Sequence, residues 1–484
     1  MRNLRTVLHY FGVLLISFAF LQALPLVISV LYAETVTFPV RIYAIPALIA
    51  VLLGLLMITL FKPAPLSEGM AMATGALGWF GLSLIGAVPY WLALKITYLD
   101  AFFETVSGFT TTGTTLFVGL DGLPYSILFW RALTQWIGGL GIFTLFLAVA
   151  LRSGISNNLL SSESHKATTK RFSPGVFNSL RILWAIYIAL TILCGLSLWI
   201  EGMSPFDAAV HALTTISTGG FSSHDASIAY FHQSGYHYVA MDYTLILFMF
   251  LGGTSFLVHW NLIRRRFSAL RKNMELRLWV SLIVGATLIV AFGGGAHASL
   301  EERIRASLFQ VVALASSTGF ATKDIAGGFF GPAAKQVFLL LMFIGGCVGS
   351  TAGGVKVWRI GVLGKLMRHQ LRLVSRPPRE VVPFVIDGEV MREREIYRTA
   401  AIFFAWVVIA AIGSLITGLL TGFGPLESFS GMISALSNIG PSYIDPAAYV
   451  TMNAGVKVFY ILAMVAGRLE LLPMLLIFSR RVWR

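Results

Sequence analysis

Apolar runs of about 20 residues, the length that crosses ~30 Å of hydrocarbon as a helix, alternate with short polar stretches along the whole chain. Ten such runs occur, over 7–32, 42–61, 70–94, 125–151, 180–200, 244–263, 278–292, 337–358, 400–420 and 456–478. The pattern predicts an all-α membrane protein with ten transmembrane helices. Four of the polar stretches end in glycine: Thr110-Thr111-Thr112-Gly113, Ser217-Thr218-Gly219-Gly220, Ser316-Ser317-Thr318-Gly319 and Ser437-Asn438-Ile439-Gly440. Irregular backbone at membrane depth is tolerated only where it is buried in protein or lines a cavity. Glycine permits the left-handed backbone that turns neighbouring carbonyls toward an axis, and small hydroxyl residues add oxygens without bulk. Four such loops can therefore replace the water shell of a cation.

The four glycines are 107, 99 and 121 residues apart, each with an apolar helix before and after it. The repeating unit is a span, a short helix, a loop and a second span. Thr97 with Asp100, Ser204 with Asp207 and Ser299 with Glu302 have capping-box spacing, and Gly424 with Glu427 is a weaker version. From cap to glycine is 16 residues in three repeats and 20 in the third, an excess of about one turn, so the third short helix is expected to begin higher or to bend differently. A helix of about 12 residues spans ~18 Å, half a bilayer, and has to enter and return. Its carbonyl end then points to the membrane centre, where the helix dipole favours a cation. The expected organisation is an accessory N-terminal hairpin over 1–66 and pore repeats over 67–152, 178–264, 276–359 and 397–484. A cytoplasmic basic loop, 360–396, precedes the last repeat.

Charge orients this array. The chain carries +14, from 36 Lys and Arg against 22 Asp and Glu. The bases cluster in loops around Arg264–Lys272 and Arg359–Arg398, whereas 202–242 and 421–453 hold no Lys or Arg. That is the positive-inside pattern of a membrane protein and not a nucleic-acid footprint. Arg2 and Arg5 at one end and Arg480, Arg481 and Arg484 at the other place both termini in the cytoplasm, consistent with an even span count. The first apolar run is too long for a signal-peptide core and is expected to be retained as a span. Cys194 and Cys347, far apart in apolar surroundings, form no disulfide framework or metal site.

The Thr-Thr-Thr-Gly loop is followed by Trp130-Arg131 and by Gln135-Trp136-Ile137-Gly138-Gly139-Leu140-Gly141-Ile142. Together with Ser434-Ala435-Leu436-Ser437-Asn438-Ile439-Gly440-Pro441, these residues resemble the Trk/Ktr/HKT superfamily of potassium transporters. The two extra N-terminal spans make the chain most similar to the bacterial TrkH branch. The resemblance implies K+ uptake across the bacterial inner membrane by a multi-pass homodimer that works with a cytosolic nucleotide-binding ring protein of the TrkA type. It also implies a K+ selectivity filter at Thr111, Thr112, Gly113, Thr218, Gly219, Gly220, Ser317, Thr318, Gly319, Asn438, Ile439 and Gly440, with the ion held at the residues preceding each glycine. The fourth repeat departs most, with Asn438, bulky Ile439 and Pro441, and with Ser442 where the family often has glycine.

Two further features stand apart from the loops. Gly345, Gly346, Gly349, Gly353 and Gly354, with Ser350 and Thr351, fall inside the eighth run and cost a helix roughly 1 kcal/mol per glycine relative to alanine. The run is expected to break there, either for close helix packing or as a mobile loop beneath the filter; in the resembled family the corresponding loop is a gate. Arg468 is an expensive intramembrane charge, which the resemblance places below the filter, and Glu470 two residues on leaves the opposite side of a helix. His224, His232 and His237 lack metal-ligand spacing, and no nucleotide-binding or nucleophile motif occurs, so neither enzyme activity nor an organic cofactor is expected. Coupling of K+ to Na+ or H+, a secondary transporter of an organic solute, and a scaffold with a vestigial pore are the alternatives.

Overall fold

The computed structural model of the chain describes residues 2–35, 39–64, 68–152, 176–233, 236–293, 298–375, 377, 382–469, 471 and 474. Among the described residues, six helices are long and apolar enough to cross a membrane: Asn3–Leu31, Arg41–Leu60, Met72–Leu94, Asn178–Ile200, Met274–Phe292 and Glu393–Thr421. The expected spans 125–151 and 456–478 correspond to helices Tyr125–Arg152 and Ala454–Arg468. Most residues after 469, including Glu470 and the terminal arginines, lie outside the described set.

Two expected spans are not continuous helices. The run 244–263 is two helices, Tyr238–Gly253 and Phe256–Ile263, bent by 103°. Glycines just before the bend allow close packing there: a Cβ at Gly252 would lie 3.0 Å from Thr218 Cγ2, and one at Gly253 would lie 2.9 Å from Ser316 Cβ. The carbonyls freed by the break are not left unpaired. Gly253 O accepts the Cys347 N–H at 2.9 Å and Gly252 O that of Thr351 at 3.4 Å. The run 337–358 likewise divides into Pro332–Ile344, a non-helical segment at 345–356, and a second helix, Val357–Val374.

Four short helices, Tyr98–Phe109, Pro205–Ile216, Leu300–Ala315 and Pro425–Ser437, contain 12, 12, 16 and 13 residues. The third has the extra turn that its cap-to-glycine spacing requires. Thr97, Ser204 and Ser299 each accept the backbone N–H three residues on, whereas Gly424 has no side chain to do so. The reciprocal half of a capping box is altered: Thr97 and Ser204 donate their hydroxyls to Asp100 and Asp207, at 2.7 Å in both cases. The acids are thereby free to tie repeats together, as Lys457 Nζ does to Asp100 Oδ1 at 2.5 Å.

The N-terminal hairpin packs through glycines, since a Cβ at Gly12 would lie 2.8 Å from Gly54 O. Its loop also anchors the first repeat: the Glu34 carboxylate accepts the N–H groups of Tyr125 and Ser126 at 2.6 and 3.1 Å, capping helix Tyr125–Arg152. One element departs from the all-α expectation. Within the loop expected over 360–396, strands Val385–Ile386 and Glu389–Val390 pair antiparallel across Asp387-Gly388, both at positive φ, as a two-residue hairpin turn prefers. Phe384, Ile386 and Met391 flank this hairpin and pack with Met274, Val348, Trp358 and Val362.

Candidate functional site

All four short helices end at one place, and their glycine loops contact one another in a closed cycle. A Cβ at Gly113 would lie 2.1 Å from the Gly219 carbonyl oxygen; at Gly220, 1.8 Å from that of Thr318; at Gly319, 2.1 Å from that of Ile439; and at Gly440, 2.8 Å from that of Thr112. Each repeat thus abuts the next, and the fourth returns to the first. The glycines have φ between 75° and 97°, and the close approach leaves no room for any side chain.

The backbone repeats as strictly as the contacts. Two residues before each glycine stands a left-handed non-glycine residue: Thr111, Thr218, Ser317 and Asn438, with φ of 53°, 53°, 57° and 55°. Left-handed β-branched residues are strained by ~1–3 kcal/mol each, a cost kept only where surrounding structure enforces it. Asn438, the departure noted in the fourth repeat, takes the same conformation as its counterparts, and Ile439 is fully buried. Thr111 Oγ1, Ser437 Oγ and Asn438 Oδ1 are buried without a hydrogen-bonding partner among the described residues.

The segment 345–356 lies directly against the base of this ring. Gly353 N–H donates to Ser317 Oγ at 2.7 Å, and a Cβ at Gly353 would lie 2.0 Å from Ser437 O. Thr351 Oγ1 is within hydrogen-bonding distance of Ile216 O (3.0 Å), Gly252 O (3.1 Å) and Thr218 Oγ1 (3.2 Å). From below, the buried Glu275 carboxylate accepts the Val348 N–H at 2.8 Å. Gly345, Gly349 and Gly354 have positive φ, whereas a Cβ at Gly346 would lie 2.5 Å from Ala352 Cβ; Ser350 Oγ donates to Cys347 O at 2.6 Å. Arg468 reaches the segment from the last helix: Nη1 donates to Thr351 O at 2.6 Å, and Nη2 to Gly138 O and Gly139 O at 2.8 and 2.7 Å. Arg468 is therefore a brace between the segment and the first repeat.

Several residues that support the ring carried no role in the sequence reading. Glu104 and Arg131 form a buried ion pair at 3.0 Å. The carboxylate also accepts from Leu116 N and Thr115 Oγ1, and Arg131 donates to Ser222 O at 3.0 Å with its guanidinium 4.2 Å from the Phe221 ring centre. A charge within an apolar helix is the sequence signal that would have found them. The three histidines at 224, 232 and 237 do not converge: His224 stacks on Tyr230 and pairs with Asp121, His232 bonds Asp242 at 2.9 Å, and His237 precedes helix Tyr238–Gly253.

A family model for TrkH, described as a cation transport protein, matches residues 71–483. The Trk system potassium uptake protein TrkH of Escherichia coli (strain K12) is 34% identical over 417 residues, 84% of each chain. This chain belongs to the TrkH family. It is accordingly a multi-pass membrane transport protein and not an enzyme. The family match begins at residue 71, beyond the N-terminal hairpin, but TrkH of Halomonas elongata is 32% identical over 496 residues and covers all of both chains. The crystal structure of the potassium transporter TrkH from Vibrio parahaemolyticus superposes with a TM-score of 0.85 at 28% identity, covering 99% of this chain and 100% of that one. The resemblance drawn from the motifs at 110–142 and 434–441 holds over the full fold.

Proposed function

We propose that this chain takes up K+ across the bacterial inner membrane through the ring formed by its four glycine loops. The observation that carries the reading is the cyclic contact of Gly113, Gly220, Gly319 and Gly440 with the carbonyls of Gly219, Thr318, Ile439 and Thr112. Carbonyls of Thr111, Thr112, Thr218, Gly219, Ser317, Thr318, Asn438 and Ile439 replace the hydration shell of K+. The carbonyl ends of four helices supply negative potential at the same point. Ten spans with both termini cytoplasmic put the acidic loops outside, where they concentrate cations at the entrance. The glycine-rich segment 345–354 is the gate: Arg468 favours its closed position, so the chain alone conducts slowly, and flux rises when the segment moves from the base of the ring. A homodimer and a cytosolic TrkA-type nucleotide-binding ring protein complete the system, as the family resemblance implies.

Purified protein in lipid vesicles tests the reading. Rb+ is expected to enter down its own gradient, and Na+ or H+ gradients imposed across the same vesicles separate free conduction from coupled symport. Vesicles that take up no Rb+ under any of these gradients contradict it.

A further inference from the structure

The ring is not supported equally in its four quarters. In the first and third repeats the residue before the glycine is a threonine, and its hydroxyl bonds the hydroxyl at the end of the preceding helix: Thr112 to Thr110 at 2.7 Å, Thr318 to Ser316 at 2.8 Å. The second repeat has Gly219 there. It offers no hydroxyl, and Ser217 turns back to Leu213 O at 2.8 Å. Two consecutive glycines also make this the quarter with the most backbone freedom to lose.

Gln135 occupies the gap. It sits on helix Tyr125–Arg152 of the first repeat, is fully buried, and donates Nε2 to Gly219 O at 2.7 Å while Oε1 accepts the Phe221 N–H at 3.0 Å. Those two bonds bracket Gly220 as a neighbouring strand would. They fix the amide's orientation, because a flipped amide would set oxygen against oxygen and N–H against N–H. A Cβ at Gly219 would lie 2.3 Å from Gln135 Cδ, so the amide fills the space that a side chain at 219 would take. One turn earlier on the same face, Arg131 holds Ser222 O.

We propose that Gln135 is a positioning residue for ion selection: it tethers the Gly219 carbonyl so that this quarter of the ring cannot close around an ion smaller than K+. The inference rests on the reading of the ring as the K+ filter. Na+ needs carbonyls that move inward, and a carbonyl already held from the side at 2.7 Å resists that movement. The amide thereby does across a repeat boundary what Thr112 and Thr318 do within their own repeats.

The test is the Rb+ over Na+ flux ratio in vesicles for wild type, Gln135→Ala, Gln135→Glu and the double variant Gln135→Ala/Gly219→Thr. Gln135→Ala removes both bonds, and Gln135→Glu keeps the acceptor for Phe221 but loses the donor to Gly219. Both are expected to lower the ratio by about tenfold, the scale set by one buried hydrogen bond, with Rb+ flux retained. The double variant gives the second repeat the hydroxyl found in the third, beside Ser217, and is expected to recover most of the ratio. A wild-type ratio in either single variant overturns the proposal. So does a ratio that falls in Gln135→Ala and does not recover in the double variant, since loss of packing alone would do that. Wild-type vesicles that pass no Rb+ sink the transport reading itself, and the proposal with it.

Discussion

Gly440 meets Thr112, 328 positions away in sequence, at the closing contact of the ring, where a Cβ on the glycine would lie 2.8 Å from the threonine carbonyl oxygen. This is the loosest of the four approaches; at Gly220 the corresponding distance to Thr318 O is 1.8 Å. Alanine at any of these positions adds a left-handed strain of ~1–2 kcal/mol, to which the overlap contributes further. Gly220→Ala is therefore expected to abolish Rb+ uptake, and Gly440→Ala to retain the most activity of the four alanine variants. Uptake in vesicles, normalised to inserted protein, checks the order.

Arg468 braces the glycine-rich segment against Gly138 and Gly139 with three hydrogen bonds. Bonds to a charged group contribute ~1.5–3 kcal/mol each. Arg468→Ala is expected to raise Rb+ flux by about tenfold or more, the shift that loss of a single such bond allows. Unchanged or reduced flux would return Arg468 to a purely structural role.

The Glu104–Arg131 pair is fully buried, so removing one partner leaves an unpaired charge in a low-dielectric site. Such single losses typically cost ~3–5 kcal/mol, while apolar replacement of both partners is often far milder. Glu104→Gln is expected to lower the thermal midpoint of the detergent-solubilised protein more than Glu104→Gln/Arg131→Met does. Equal midpoints for the two variants would show that the ion pair itself, and not the stranded charge, sets the cost.

Much of the ring was legible in the sequence. Four glycines at equivalent positions, three hydroxyl caps and the extra turn of the third repeat were all expected from spacing, and each is a local consequence of residue type. The bend at Thr254-Ser255 was not legible, because 244–263 is apolar enough to read as one span and the groups that pack against its break, Thr218 and Ser316, belong to other elements. The roles of Gln135 and Glu275 were hidden for the same reason: each is defined by a partner in another repeat or another loop. The hairpin at Val385–Val390 was missed because two-residue strands leave almost no periodic signal, although Asp387-Gly388 was its turn signature.

The loops after the first two short helices carry a pH-sensitive latch at His224, which lies between Asp121 and Asp207. Burial alone would lower its pKa, but the Asp207 and Asp121 carboxylates outweigh it and raise the value above the ordinary 6.5. A raised folded-state pKa stabilises the protonated form, so the contribution is complete below about pH 6.5 and is lost as pH rises through the raised value. The thermal-stability advantage of wild type over His224→Gln is expected to be greatest in mild acid and to shrink in alkali. An advantage independent of pH would mean that His224 acts through its stacking on Tyr230 alone.

Heavy alkali-like ions offer the most direct view of the ring. Crystals grown with Tl+ or Rb+ should give anomalous density encircled by the carbonyl oxygens of Thr112, Gly219, Thr318 and Ile439. Density absent from that centre, in protein shown to transport the same ion, would contradict the claim that four loops of one chain make a single cation site.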